Sequence, residues 1–349
     1  ADDGLPKCAE IWINELRLTD FDDKAGWAAT GRLSANLADL GNIMVSGLHS
    51  TPGFGSIEKK VNERKKETTT QLDVATNIDI GKFFPEKTGI RIPMHFDYSQ
   101  VSSNPQHNPL DPDLLYKAEI RNLDSQQKDS LKVRSQTFTK RKNLNFVNVR
   151  KERVGMTGKA DFWDIENFNF TYSYQDIFNR SPDVDYDQLK RHRGGFGYTF
   201  SLEPKNVSPF SGIKSKYLSL IRDFNLYLSP RLLSYRTEMD RQYSEKKLRN
   251  KSTALVIIEP TYVKKWDWIR AFDFKYDLTR SLRFDYSSTT NAFIFEPAGR
   301  IDKESPDWDD YKQQIWDEIG KFGSTNVFNH TYNLNYNVPI NKLPLLDWI

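Results

Sequence analysis

The chain carries one cysteine, Cys8, in 349 residues, and five histidines, at positions 49, 95, 107, 192 and 330. A single thiol excludes an intrachain disulfide framework and a zinc–cysteine cluster. The histidines are too scattered for the H-E-x-x-H spacing of a zinc hydrolase. G-x-S-x-G, P-loop and dinucleotide fingerprints are all missing, which removes the nucleophile elbow and the phosphate cradle. No enzyme, cofactor or metal is therefore expected. No stretch approaches the roughly 18–20 uninterrupted apolar residues of a membrane helix. An excess of one charge is missing too. The 50 basic residues meet 47 acidic ones, leaving +3, which argues against a nucleic-acid partner.

What the chain does have is alternation. Asn167 to Gln175 reads N-F-N-F-T-Y-S-Y-Q. Successive side chains of a strand leave on opposite faces, so Phe168, Phe170, Tyr172 and Tyr174 share one side. The pattern returns at Phe196, Tyr198 and Phe200, at Phe272, Phe274 and Tyr276, at Phe284 and Tyr286, and at Tyr332, Leu334 and Tyr336. A weaker version runs from Ile90 to Tyr98. Such strands need something apolar on one side and water on the other, either a packed core or a bilayer. A mean hydropathy of -0.68 does not exclude the bilayer, because a transmembrane strand needs only about 9–11 residues, half of them polar.

The organisation read from the sequence is all-β: a segment of a very large antiparallel transmembrane β-barrel, with long outer loops carrying short helices. Wall strands are expected over 1–98, including Ala9–Leu18, followed by a turn-like acidic cluster at Asp20–Asp23. Alternation is lost between Ser99 and Arg153, so 99–160 is read as a polar folded insertion, with helix in Leu114–Val133 and a return to strand at Asn143–Arg150. Strand pairs follow over 161–292, an outer loop over 293–325, and a strand with a short turn over 326–349. The polar stretches Asp176–Arg193 and Phe293–Thr325 are expected as long connections. Asp277–Ser281 and Pro339–Pro344 are expected as short ones. Long loops on one side and tight turns on the other favour the bilayer. The chain opens at Ala1 without a charged-then-apolar leader and reads as an excerpt or mature piece of a longer protein.

One helix is well signalled, over 306–320. Ser305 suits the N-cap, Pro306 the first position, and Asp307, Asp309 and Asp310 the positive end of the dipole. Trp308, Tyr311, Ile315, Trp316 and Ile319 fall on one side. That side would pack on the insertion that carries it or dock a partner protein. Gly53–Gly55 and Gly194–Gly197 read as a turn and a strand start. Asp20–Gly26 looks like half a calcium loop, but Gly31 stands where a bidentate Glu is needed. Asp183, Asp185 and Asp187 read as a solvated outer loop or a cation site. Basic clusters such as Arg64–Lys66 and Arg191–Arg193 read as solvated surface, or as contacts for lipopolysaccharide phosphates. Trp12, Trp163 and Trp348 would sit at bilayer interfaces.

Six segments carry a family resemblance: A-E-I-W-I-N-E-L-R-L-T-D-F-D (Ala9–Asp22), N-P-L-D-P-D (Asn108–Asp113), N-F-V-N-V-R-K (Asn145–Lys151), F-N-L-Y-L-S-P-R (Phe224–Arg231), Y-D-L-T-R-S-L (Tyr276–Leu282) and N-V-P-I-N-K-L-P-L-L-D-W (Asn337–Trp348). By their number and order the chain resembles the SprA/Sov family, the outer-membrane translocon of the type IX secretion system and of gliding motility, as a fragment. The resemblance implies a wide single-chain barrel in the outer membrane of a Gram-negative bacterium, with surface-exposed loops. It would pass folded, signal-bearing cargo, have a lateral opening, and engage a PorV-like barrel protein, a periplasmic plug and a prolyl isomerase. The aromatic rows named above would then face outer-membrane lipid and lipopolysaccharide, and the polar rows the lumen. A nutrient transporter or porin, or a soluble all-β surface adhesin, are the competing readings.

Overall fold

Local alternation builds a meander in which each strand pairs with the next long strand in the chain. The computed structural model describes residues 25–60, 63–155, 161–213, 218–251 and 256–338. The main sheet has twelve strands, and every pairing in it is antiparallel. Its long members are β1 (Ala28–Asn36), β2 (Gly41–Ser50), β3 (Glu67–Asp79), β4 (Pro93–Pro105), β5 (Thr137–Lys151) and β6 (Phe168–Arg180). They continue with β7 (Val184–Ser201), β8 (Leu232–Leu248), β9 (Thr261–Asp277), β10 (Leu282–Phe293) and β11 (Ser324–Tyr336). The short strand Ile90–Arg91 pairs with the end of β5. β1 and β11 each have one neighbour, so among the described residues the sheet is open at both edges.

Connections 37–40, 80–92, 152–167, 202–231 and 278–281 lie at one end of the sheet, called here the lower end. Connections 51–66, 106–136, 181–183, 249–260 and 294–323 lie at the upper end. Both ends carry long and short connections, which corrects the expected division of long loops from short turns. Asp176–Arg193 is no long loop. Ser181 closes a tight hairpin, its backbone N–H donating to Val184 at 3.0 Å. Asp187, Arg191 and Arg193 fall on one face of β7 and Lys190, opposite Asp176, on the other, a charged composition that a solvated strand shares with a loop.

The expected insertion over 99–160 is likewise smaller. β4 runs through Ser99–Pro105, β5 occupies 137–151, and only 106–136 stands clear of the sheet. It carries α1 (Tyr116–Arg121) and α2 (Ser125–Ser135). A reciprocal capping box between Asp124 and Gln127 starts α2, satisfying two otherwise orphaned donors. The expected helix over 306–320 forms as α3 (Trp308–Gly320). Its cap is Asp307 without a side-chain bond; Ser305 instead accepts from the Asp307 amide at 3.4 Å. Ala9–Leu18, Cys8, Asp20–Asp23, Trp12, Trp348 and the 339–344 turn lie outside the described residues.

Gly194–Gly197 sits inside β7 rather than at a strand start. Gly195 and Gly197 let Thr171 and Asn169 of β6 lean across, since an added Cβ would meet their side-chain oxygens at 2.4 and 2.3 Å. Glycine is more strictly required at Gly89. Its φ is +66°, and an added Cβ would lie 1.9 Å from the Glu152 carbonyl oxygen. That close approach allows the Glu152 amide to donate to Gly89 at 2.7 Å, closing the lower end of β5 over the 80–92 connection. Arg91 joins the same clasp through Glu152 at 3.1 Å, and Arg150 meets Glu152 at 2.6 Å.

Two outcomes are expected here. Gly89→Ala loses the clasp by backbone clash and strain, on the order of 1–3 kcal/mol; exchange at the Glu152 amide should accelerate by at least about tenfold. The Glu152 carboxyl is held below its ordinary 4.5 by the Arg91 guanidinium first and by Arg150. A depressed pKa contributes stability above the ordinary value and loses it as pH falls through the folded one. Protection of that amide, measured relative to intrinsic exchange, should be full at about pH 6 and fall below about pH 4.5. Glu152→Gln should abolish the pH step.

Candidate functional site: an apolar band and a polar face

Cross-strand register decides which side chains share a face, because directly opposed residues point the same way. On β6 and β7, Phe168 opposes Tyr198 and Phe170 opposes Phe196. On β7 and β8, Tyr198 opposes Tyr235 and Phe200 opposes Leu233. β8 hands the face to β9 through Tyr235 with Phe272 and Leu233 with Phe274. β10 continues it through Phe274 with Tyr286 and Tyr276 with Phe284, and β11 through Tyr286 with Tyr332 and Phe284 with Leu334. Tyr174, opposite His192, and Tyr336, opposite Leu282, complete it. All fifteen residues of the expected aromatic rows therefore fall on one face of one sheet. Ring pairs knit neighbouring strands, among them Phe170–Phe196 at 5.1 Å and Tyr286–Tyr332 at 4.8 Å between centroids.

The same face extends across the first five strands, where the sequence gives a quieter signal. Leu33 opposes Val45, Val45 opposes Val74, and Val74 opposes Tyr98. Phe96 then opposes Leu144, which opposes Tyr174. Here β-branched and aliphatic residues replace aromatics, so the rows were not singled out by ring count. A bulge keeps the phase on β5. Phe146 opposes Tyr172, and the next pair is Val149 with Phe170. Asn148, in the bulge, has φ 56°, a left-handed conformation that Asn tolerates better than most residues. Were 146–149 paired regularly, without the bulge, Val149 would turn to the opposite face.

The band also slides along the strands. The row Phe96, Leu144, Tyr174 continues as His192, Arg241 and Trp266. On β9 Arg270 interrupts the row, and the uncharged apolar stretch lies lower, at Phe272–Tyr276.

The other face is predominantly polar, with scattered apolar residues such as Met44, Val101, Ile177 and Ile269. Asp73 accepts from Gln71 and Ser99, each at 2.7 Å, and Asp97 accepts from Asn143 at 3.1 Å. Arg191 pairs with Asp240, Arg193 with Glu238, and Lys265 with Asp267 at 2.7 Å. Asp185 takes Arg249 at 3.2 Å and Asp183 takes Lys251. These carboxylates thus serve as counter-ions rather than as a cation cage. Among the described residues no group of His, Cys, Asp and Glu is placed to hold a metal, and no helix is long and apolar enough to cross a membrane.

Loop 294–323 folds over the band-side face, but over its upper, polar part. The Glu296 side chain, 2% exposed, pairs with Arg241. Tyr311 donates to Glu296 at 3.3 Å and accepts from Arg241 at 3.4 Å. Burial first, and the Glu296 charge next, push the Tyr311 hydroxyl up to about 12. Lys264 lies 5.1 Å from the Tyr311 ring centroid. Ile319 packs on the small core of Trp268, Ala292 and Ile294. Trp308 stacks on Tyr311 at 5.4 Å, Ile315 is half-buried, and Trp316 is 65% exposed. The helix face is therefore split: Tyr311 and Ile319 hold the sheet, and Trp316 points away.

Below that cover Phe162 of the lower connection packs on Tyr198 and Phe200, centroids 5.6 Å apart in each pair, and much of the remaining band is exposed. Leu334 is 67%, Tyr332 61% and Phe170 52% exposed. Seven hydrophobic side chains are buried among the described residues, two of them, Tyr198 and Phe200, within the band. Trp163, expected at an interface, is exposed in the lower connection 152–167. Removing the Glu296 carboxylate leaves Arg241 and Tyr311 without their shared partner, a loss of about 1–3 kcal/mol. In Glu296→Ala, exchange of the α3 amides should accelerate about tenfold or more while β5 and β6 stay unchanged.

A search of curated proteins returned no match. The first 120 residues, by contrast, match the model of the family SprA_N, described as a motility related/secretion protein. That match over residues 1–120 supports an SprA-family fragment, and it marks the chain as related to motility and secretion.

Proposed function

We propose that this chain is a section of the wall of an outer-membrane protein translocon, with the exposed band against lipid and the polar face lining the conduit. The observation that carries the reading is an inversion of ordinary packing. Loop 294–323 covers the polar upper part of the band-side face, with Trp268 at its margin, and most of the aromatic part below it is left uncovered. In water that arrangement exposes a large apolar patch to no purpose; against acyl chains it is the low-energy one. The dimensions suit a bilayer. On β11 the exposed row from Phe328 to Tyr336, free of Asp, Glu, Lys and Arg, spans about 26 Å at ~3.3 Å per residue, or about 20 Å in height after a barrel's strand tilt, close to the ~25 Å apolar band of such walls.

The open edges point the same way. β11 reads S-T-N-V-F-N-H-T-Y-N-L-N-Y, without Lys, Arg, Asp, Glu, Pro or Gly. Proteins normally protect a free edge with charge, proline or a bulge. Its one irregularity is at the upper end, where Asn326 is skipped between Val327 and Thr325; an edge otherwise this plain suits a strand that pairs further, as in a closed wall wider than this segment. The polar face then presents mixed, mutually compensated charge to the passing chain, which suits cargo of varied surface. No residue is assigned a catalytic role. The folded, signal-bearing cargo and the PorV-like, plug and prolyl-isomerase partners rest on the family resemblance. β7, β8 and β9 run beyond the upper edge of the band, and the upper end is assigned to the cell surface.

Nitroxide labels in the intact protein, reconstituted in proteoliposomes, test the wall. Labels at Phe170 and Phe274 should be accessible to oxygen and shielded from a water-soluble nickel chelate, and labels at Asn169 and Asp273 should show the reverse. Equal nickel access at all four sinks the membrane reading and favours a soluble surface adhesin. Phe274→Lys should cost about 2–4 kcal/mol of membrane stability and lower the amount assembled in the outer membrane. Cells depleted of the protein should retain signal-bearing cargo in the periplasm. Normal export would leave a porin or nutrient transporter as the better description.

A further inference from the structure

At the upper end of β1–β4, the 51–66 connection and α1 enclose a cavity of about 1070 Å³. Five cations line it, Arg64, Lys66, Lys117, Arg121 and Lys132, with no Asp or Glu in the lining. None of the five forms an ion pair among the described residues. Between them the walls are apolar, formed by Trp27, Pro52, Pro105, Leu115, Tyr116 and Ile120. The cationic loop is held in place by its own backbone bonds. The Gly53 amide donates to the Lys65 carbonyl at 2.9 Å, and the Arg64 guanidinium donates to Gly53 and Lys59 carbonyls, each at 3.4 Å.

Position on the sheet narrows the ligand. Thr68 and Asn104, which line the cavity, stand in phase with Leu72 on β3 and Tyr98 on β4, so the cavity lies on the band side. Down the same face from it come Leu72, Val74 and Leu33. A concentration of unpaired cations among apolar walls, set on the band side with only Thr70, Ser102 and Gln100 between it and Leu72, Val74 and Tyr98, suits an anionic amphiphile. A small soluble anion would gain nothing from the walls, and an uncharged lipid nothing from the cations. Guanidinium forks and ammonium groups together suit phosphate oxygens.

We propose that this cavity binds the phosphorylated headgroup of a membrane lipid, with Arg64, Lys66 and Arg121 on the phosphate and the acyl chains running down the band. The proposal rests on the band facing lipid, and its test separates the two. The intact protein is placed in nanodiscs containing bisphosphorylated lipid A, and lipid retained after delipidation is counted by native mass spectrometry. The wild type should retain bisphosphorylated lipid A at least tenfold more than the dephosphorylated form. The triple variant Arg64→Gln, Lys66→Gln, Arg121→Gln should lose at least tenfold of that retention, and Lys66→Arg should keep it. Unchanged amide exchange in β3 and β4 certifies that the triple variant is folded.

Equal retention by the folded triple variant, or equal retention of dephosphorylated lipid by the wild type, overturns the proposal. Displacement of the lipid by millimolar inorganic phosphate also overturns it, making the cavity a free-anion site. A nitroxide at Phe170 in the same nanodiscs reports immersion of the band. Immersion without lipid retention defeats this inference alone; no immersion defeats the wall itself.

Discussion

Everything in this chain hangs on phase: eleven long strands must be paired so that one alternating set of side chains always lands on the same face. The side-chain period of a strand is two, so a slip of a single residue would send a whole aromatic row to the polar side. The register avoids this across ten junctions by two means. Opposed rings interlock directly, as Phe168 and Phe170 do with Tyr198 and Phe196. Where the pattern would drift, a bulge resets it, with Asn148 supplying the left-handed residue that returns Val149 to the apolar side. The N-F-V-N-V-R segment that carries part of the family resemblance has a mechanical reason to read as it does.

Once phase is fixed, the rest of the architecture follows from disposing of the two faces. The polar face satisfies itself through short cross-strand bonds and ion pairs, so it can remain wet without cost. The band-side face is handled in two parts. Its upper reaches hold Glu245, Glu296, Arg241 and Lys264, groups that hydrocarbon would not accept, and loop 294–323 gathers them into a network. Its lower reaches hold rings and aliphatics, of which Tyr198 and Phe200 lie under Phe162 of the 152–167 connection while the rows on β6 and β11 stay largely exposed. The boundary falls near Arg270, whose guanidinium lies over the rings of Trp268 and Phe322 at 4.8 and 5.4 Å. A cation with an apolar stem and a stacked head suits the edge of a hydrocarbon layer.

Strand existence was readable wherever aromatic alternation ran for several residues, as on β6, β9, β10 and β11. Reading failed where polarity was taken for irregularity. Asp185 to Arg193 resembles a loop in composition, yet Asp187, Arg191 and Arg193 there belong to the solvated half of a strand. Ser99–Pro105 and Thr137–Arg141 were missed for the same reason, since a strand with one polar face and few rings has no local mark to distinguish it. Gly194–Gly197 suggested a boundary and proved to be a strand interior, because the space left by the missing Cβ atoms is used by side chains of the next strand.

Alternation and composition by themselves determined that this protein would be antiparallel β with two unlike faces, and that α3 would form behind Ser305 with an aromatic side. These are short-range matters, settled by the period of a strand, the turn of a helix and a handful of capping residues. Only the tertiary structure decided that all the aromatic rows join into one band, that loop 294–323 covers the polar part of that face, and that five cations from separate segments meet over one cavity. Each of these depends on pairing between residues distant in the chain, and register, which sets it, is a property of strands taken two at a time.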